Sequence, residues 1–197
     1  RVRVQYGDNW SDWSMAKSFF TGLVANEWQQ IFISAETEAD AADSRGTCLR
    51  HTFELSKPVA QAYAYTTALG LYQFFLNGKK VGCDELTPGW TAYHKRLSYQ
   101  AYDVTEQLKA GKNVMGAQLG AGWYKGLMTF EHQRNFYGGQ TAFLAELHVR
   151  YADGSEEVLG TDESWQASDS PICFAEIYAG ETYDAGMEQP GWAEPDF

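Results

Sequence analysis

Positions 49, 51 and 53 share one parity along the chain, and Ala60, Ala62 and Ala64 alternate against Tyr63 and Tyr65. A period of two marks a half-buried strand. Residues 71–76 read as a third strand, which runs into Asn77-Gly78. That pair accepts positive φ at both centres of a type I′ turn, so Val81 is expected back as a paired strand. Residues 114–119 read as another strand. Phe143, Ala145, Leu147, Val149 and Tyr151 share one face of a longer one, with Leu144, Glu146, His148 and Arg150 opposite. Asp153-Gly154 turns the chain, and residues 157–159 return. Thr161 to Trp165 leads into a further strand pair. Residues 172–177 form a short apolar strand, closed by the turn Tyr178 to Glu181. Only Asp103-Val-Thr-Glu106, with Val104 and Leu108 four apart, predicts a helical turn, capped by the acid and stopped at Gly111. Short strands with Gly-rich turns and no long helical period predict an all-β protein, a jelly-roll β-sandwich with one short helical turn.

The ends carry different patterns. Residues 1–6 alternate like a strand and meet turn chemistry at Gly7 to Asn9, and residues 11–14 lead on to Phe19-Phe20. An isolated hairpin is marginal in water, so Trp28, Ile31, Phe32 and Ile33 are expected to pack on the sandwich. Residues 36–45 are acidic and poor in large apolar groups, a solvated loop or linker by composition. The last ten residues contain two prolines and no period.

Three classes of partner can be weighed from charge and composition. A formal net charge of −11 argues against nucleic acid and anionic membrane surfaces and suits a neutral ligand. The longest apolar runs are strand-length, short of a membrane span. No apolar h-region follows Arg1, so no signal peptide is expected within these residues. Cys48, Cys83 and Cys173 are odd in number and widely spaced, which argues against a full disulfide framework and leaves the compartment open. His51, His94, His132 and His148 stand apart, without the spacing of a zinc site. Calcium, which takes scattered oxygen ligands, stays possible. Gly120 to Gly126 is Gly-rich but lacks the GK[ST] ending of a phosphate loop, and no helix is expected after it.

Aromatic residues are 15% of the chain, with 7 Trp and 12 Tyr. Sandwich cores use many such rings. Trp90, Tyr93, Trp123, Tyr124, Tyr137 and Tyr178 fall instead in expected loops or strand ends. A ring covers the C–H face of a sugar while an amide or carboxylate fixes its hydroxyls. The candidate carbohydrate-binding residues are therefore Trp123, Tyr124, Asn135, Tyr137, Tyr178, Glu181 and Asp184. The plain alternative is that the rings close the ends of the sandwich and the two acids cap turns.

FLNGKKVG, LTPGWTAY, YQAYDVTEQLKAGKNV, LGAGWYKG, NFYGGQTAFLAELHVRYADGS, SWQAS and IYAGETYDAGMEQPGW, in this order, resemble the N-terminal β-sandwich module of bacterial α-L-rhamnosidases, glycoside hydrolase family 78. SDWS with FFTGL and WQQIFIS resembles the last strands of the fibronectin-type domain that precedes it. The resemblance implies a galactose-binding-like sandwich at residues 47–187. It also implies a remnant of the preceding domain at 1–35, a linker at 36–46 and a second linker, at 188–197, to a downstream domain. It implies no catalytic residue here, since the family's catalytic carboxylates lie in a later helical barrel. Partners would be rhamnose-containing glycans and that catalytic domain of the same parent chain, in the bacterial cytoplasm or exported. Some modules of the family hold calcium, for which Asn135, Glu181 and Asp184 are the candidates. A sugar-binding-fold domain of a β-galactosidase-type hydrolase and a purely structural packing module are the alternatives.

Overall fold

The computed structural model describes residues 1–17, 19–35, 44–128 and 133–197. Most of the expected acidic linker, Ser18 and His132 lie outside the described residues. The strands are β1 Gln5–Tyr6, β2 Asn9–Trp10, β3 Thr47–Leu55, β4 Val59–Leu69, β5 Leu71–Leu76, β6 Lys79–Lys80, β7 Gln100–Asp103 and β8 Gly111–Gly120. A single helical turn, α1 Gly122–Lys125, precedes β9 Ala142–Tyr151, β10 Glu156–Gly160, β11 Gln166–Asp169, β12 Ile172–Glu176 and β13 Gly180–Tyr183.

Two antiparallel sheets, ordered β10-β9-β4-β7 and β11-β3-β8-β5-β6, face one another as a sandwich. The alternation dictates what lies between them. Phe74 and Leu76 of β5, Met115, Ala117 and Leu119 of β8, and Phe143, Leu147 and Val149 of β9 are buried together. Burying a Leu, Phe or Val side chain is worth about 1.5–3 kcal/mol, so this layer dominates the fold's stability. The Asn77-Gly78 hairpin forms as expected, with φ of 49° and 79°, and Val81 N–H donates to Phe74 O at 2.8 Å. Asn113, fully buried on β8, holds this corner. Its Oδ1 accepts from Asn77 Nδ2 and Lys109 N–H, while its Nδ2 donates to Lys109 O and Gly111 O.

The expected helical turn is a 3-10 turn at Thr105–Gln107. Asp103 Oδ1 accepts from Thr105 N–H at 3.1 Å and from its hydroxyl, an Asx-type turn rather than a reciprocal box with Glu106. Strand character in residues 1–6 shrinks to Gln5–Tyr6. Beyond it, Val2 and Val4 N–H groups donate to Ser14 and Ser11 hydroxyls, which stand in for a regular ladder. Arg3 lies between the Trp10 and Trp13 rings, at 4.2 and 4.6 Å.

Residues 20–35 form a strap over the outer face of the four-stranded sheet, with one bridge rather than strands. Ile33 exchanges two 2.9 Å backbone bonds with Phe143. Trp28 sits edge-on to Tyr99 at 5.4 Å. Of the four apolar residues expected to pack here, Trp28 and Ile33 do; Ile31 and Phe32 remain 53% and 39% exposed. The strap turns its outward side chains to solvent once the Ile33 bridge is made. Beneath it, Glu146 is fully buried. Its Oε1 accepts the N–H groups of Gln29 and Gln30 and its Oε2 lies 2.9 Å from His148 Nε2.

At the other face, the last ten residues carry no strand but are docked. Arg50 Nε donates to Trp192 O at 2.8 Å, and Trp192 lies 5.5 Å from the Phe75 ring. A Cβ on Gly116 would stand 2.9 Å from Trp192, so this approach requires glycine. Residues 44–46, expected within the linker, are also tied to the sandwich. Ser44 and Gly46 are buried, and Gly46 pairs by backbone with Ile172 and Ser170.

Candidate functional site: the ring-lined end of the sandwich

Three loops converge at one end of the five-stranded sheet. The first follows β6 and carries Trp90, Tyr93 and His94. It is closed by Tyr93 Oη donating to Gly89 O at 3.1 Å and by a turn in which Lys95 and Arg96 donate to Ala92 O. The second is the exit from β8. It was expected as a tight turn without helix, but one α-helical turn starts on Gly122 at φ 53°. A Cβ there would lie 2.5 Å from Leu71, so glycine lets the exit hug β5 and projects Trp123 and Tyr124 outward. The third, residues 133–141, is held to the second by Asn135 N–H on Lys125 O at 2.8 Å and Tyr137 N–H on Tyr124 O at 3.3 Å. Asn135 takes φ 57°, a conformation asparagine tolerates better than most.

The rings interlock. Trp90 and Trp123 lie 8° from parallel with centroids 5.9 Å apart. The Trp90 indole N–H donates to Tyr137 Oη at 3.2 Å. Tyr93 packs on Tyr124 at 5.3 Å and on Tyr137 at 4.9 Å. Phe136 meets Tyr137 at 5.0 Å. Trp90 is 52% exposed, so its far face is open to solvent. Burial, reinforced by Tyr137, pushes the Tyr93 hydroxyl up to about 12, and burial raises Tyr124 as well. These two phenols are therefore neutral donors across physiological pH.

Of the candidates read from sequence, Trp123, Tyr124, Asn135 and Tyr137 come together here. Tyr178, Glu181 and Asp184 belong to the β12–β13 hairpin. Among the described residues, no hydrogen bond or ring pairing joins them to the cluster. Tyr178 is exposed on its turn, and Glu181 is an exposed strand residue of β13 rather than a loop acid. Asp184 Oδ1 accepts Gly186 N–H at 2.8 Å, capping the 3-10 turn Ala185–Met187. As calcium candidates, Asn135, Glu181 and Asp184 are divided between two elements. Among the described residues no three carboxylate, imidazole or thiol groups gather around a cation position.

Sequence reasoning left Trp90 and Tyr93 out of the candidate set, although the loop position of both rings was visible. It missed Glu176 entirely. This carboxylate, buried at the end of β12, accepts from Arg134 Nη2 at 2.5 Å, from Leu127 N–H at 2.6 Å and from the Ser44 hydroxyl. It holds the ring-bearing loops to the hairpin. An apolar strand ending in an acid carries no signal that loop donors will converge on it.

Comparison with known proteins bears on the whole arrangement. Residues 57–197 match the family described as the α-L-rhamnosidase N-terminal domain. An α-L-rhamnosidase of Streptomyces avermitilis is 48% identical over 152 residues, covering 76% of this chain and 14% of its own length. The crystal structure of an α-L-rhamnosidase from Aspergillus terreus superposes with a TM-score of 0.85 at 37% identity, covering 89% of this chain and 21% of that one. A Streptomyces avermitilis α-L-rhamnosidase complexed with L-rhamnose gives a TM-score of 0.76 at 46% identity, over 79% of this chain and 15% of that one. The chain thus spans about a fifth or less of the length of these relatives. With the sandwich and the family match in agreement, the chain belongs to the α-L-rhamnosidase N-terminal domain family.

Proposed function

We propose that this chain is a non-catalytic β-sandwich module of an α-L-rhamnosidase, and that its ring-lined end contacts rhamnose-containing glycans acted on by the parent enzyme. The observation that carries the reading is the open face of Trp90, braced behind by Trp123 and fixed by its N–H on Tyr137 Oη. A rigid, half-exposed indole beside a phenol hydroxyl suits the C–H face and hydroxyls of a deoxy sugar. Glycoside hydrolysis uses a facing acid and base or nucleophile, whereas Glu176, Glu146 and Asp184 are each engaged in holding backbone, which suits a structural use of these three. The domain plan we propose is the end of a preceding β-domain at 1–35, a linker at 36–46 and the sandwich module at 47–187, with residues 188–197, docked through Trp192, leading to a catalytic domain. A second reading, a packing surface for that domain, is favoured by Phe136, 61% exposed beside Tyr137 at that end.

Calorimetry with L-rhamnose on the chain and on Trp90→Ala tests the binding claim. Millimolar to tens-of-micromolar affinity corresponds to roughly 4–6 kcal/mol, within reach of one stacked ring and a few hydroxyl contacts. Loss of heat in the folded variant supports the sugar reading; no heat with the wild type leaves the packing surface. Release of rhamnose from an aryl rhamnoside by the purified chain would overturn the non-catalytic claim.

A further inference from the structure

An open depression, away from the ring cluster, lies where the strap arches over the outer face of β4 and β9. Its volume is about 570 Å3, and Asn26, Glu27, Gln29, Leu23, Tyr65 and His148 are among its lining residues. Its walls are already built. Tyr99 Oη donates to Leu23 O at 2.8 Å, Glu27 accepts Val24 N–H at 2.8 Å, and Glu146 clamps the Gln29 and Gln30 amides. Its floor is Tyr65, 6% exposed, with the His148 ring edge-on at 5.1 Å.

Two features mark it as more than a gap. Glu146 needs only Oε1 to clamp the strap, yet its Oε2 faces His148 Nε2 at 2.9 Å and so fixes the orientation of a partly exposed ring. In the neutral ring this places the proton on Nε2 and leaves Nδ1 as an acceptor. The Asn26 and Gln29 side-chain amides and His148 Nδ1 make no hydrogen bond among the described residues, and all three residues line the depression. Exposed amide donors, an imidazole acceptor and an aromatic floor in an open depression are the chemistry of a shallow neutral polyol site. Glu27 and the buried Glu146 disfavour an anion. We propose that this depression binds a neutral pyranose-sized polyol, independently of the ring-lined end.

The test is a titration of the isotope-labelled chain with methyl α-L-rhamnoside and methyl β-D-galactoside, with glucuronate as the anionic counterpart. Saturable shifts of the Asn26 and Gln29 side-chain amides and the His148 ring, at about millimolar affinity, are expected for a neutral pyranoside and not for glucuronate. His148→Gln should weaken binding at least about tenfold while the core signals stay in place. Asn26→Ala, at an exposed position, should weaken it as well should the first variant disturb the strap. No saturable shift with either neutral pyranoside, wild-type affinity in both variants, or loss of these shifts in Trp90→Ala would each overturn the proposal.

Discussion

Glu146→Ala should release the strap without unfolding the sandwich. One carboxylate oxygen accepts two adjacent backbone N–H groups, Gln29 and Gln30. Hydrogen bonds to a charged group are worth about 1.5–3 kcal/mol each. Losing both in a buried setting would cost about 3–6 kcal/mol if the N–H groups stayed buried. They need not stay, because the strap can lift locally and give them to water. The expected cost of that opening is therefore at the low end, about 3 kcal/mol, or on the order of a hundredfold in exchange protection. Glu146→Gln keeps an acceptor and loses the charge, so it should cost about half as much. Native-state amide exchange reads this residue by residue. Gln29 and Gln30 should lose protection in the Ala variant, Ile33 less so because its bridge to Phe143 is separate, and Leu147 in the core hardly at all. Unchanged protection at Gln29 and Gln30, or an equal loss across all amides, would refute the reasoning.

Other perturbations probe other joints of the fold. Asn113→Asp should destabilise by about 2–4 kcal/mol in urea titration, because Lys109 O and Gly111 O would face a carboxylate instead of an amide donor. Gly116→Val should undock the tail, seen as movement of the Trp192 indole N–H signal and faster proteolysis after β13. His51 contributes a pH dependence. Burial, partly opposed by Asp162, lowers its imidazole below the ordinary value, so the unfolded chain takes up the proton first. Its contribution is full above an unfolded value near 6.5 and is lost as pH falls below it. The fall in urea midpoint between pH 7.5 and 5.5 should be smaller in His51→Phe than in the wild type.

The strand pattern was legible because most strands bury one face. The parity of Phe143 to Tyr151 and the Asn-Gly turn predict partners as well as elements. Outer faces were less legible. Glu146 alternates as an outward polar residue, and nothing local says that a strap will cover it. The tail lacks a period because it docks through Trp192, Ala193 and backbone carbonyls rather than through a regular face. At the site, loop rings near one another in sequence proved near in space, while the hairpin carrying Tyr178, Glu181 and Asp184 turned to its own capping. Trp90 belongs with Trp123 only through a fold contact across the sheet end, which sequence spacing does not encode.

The role assigned to the ring-lined end is tested most directly at the Trp90 side chain itself. In a titration of the labelled chain with L-rhamnose, the Trp90 indole N–H signal should shift saturably, because that proton lies on Tyr137 Oη at the edge of the open ring face. The Trp123 signal should follow with smaller amplitude. A Trp90 signal that stays fixed to saturating sugar, in a chain whose other resonances show it folded, would contradict the account.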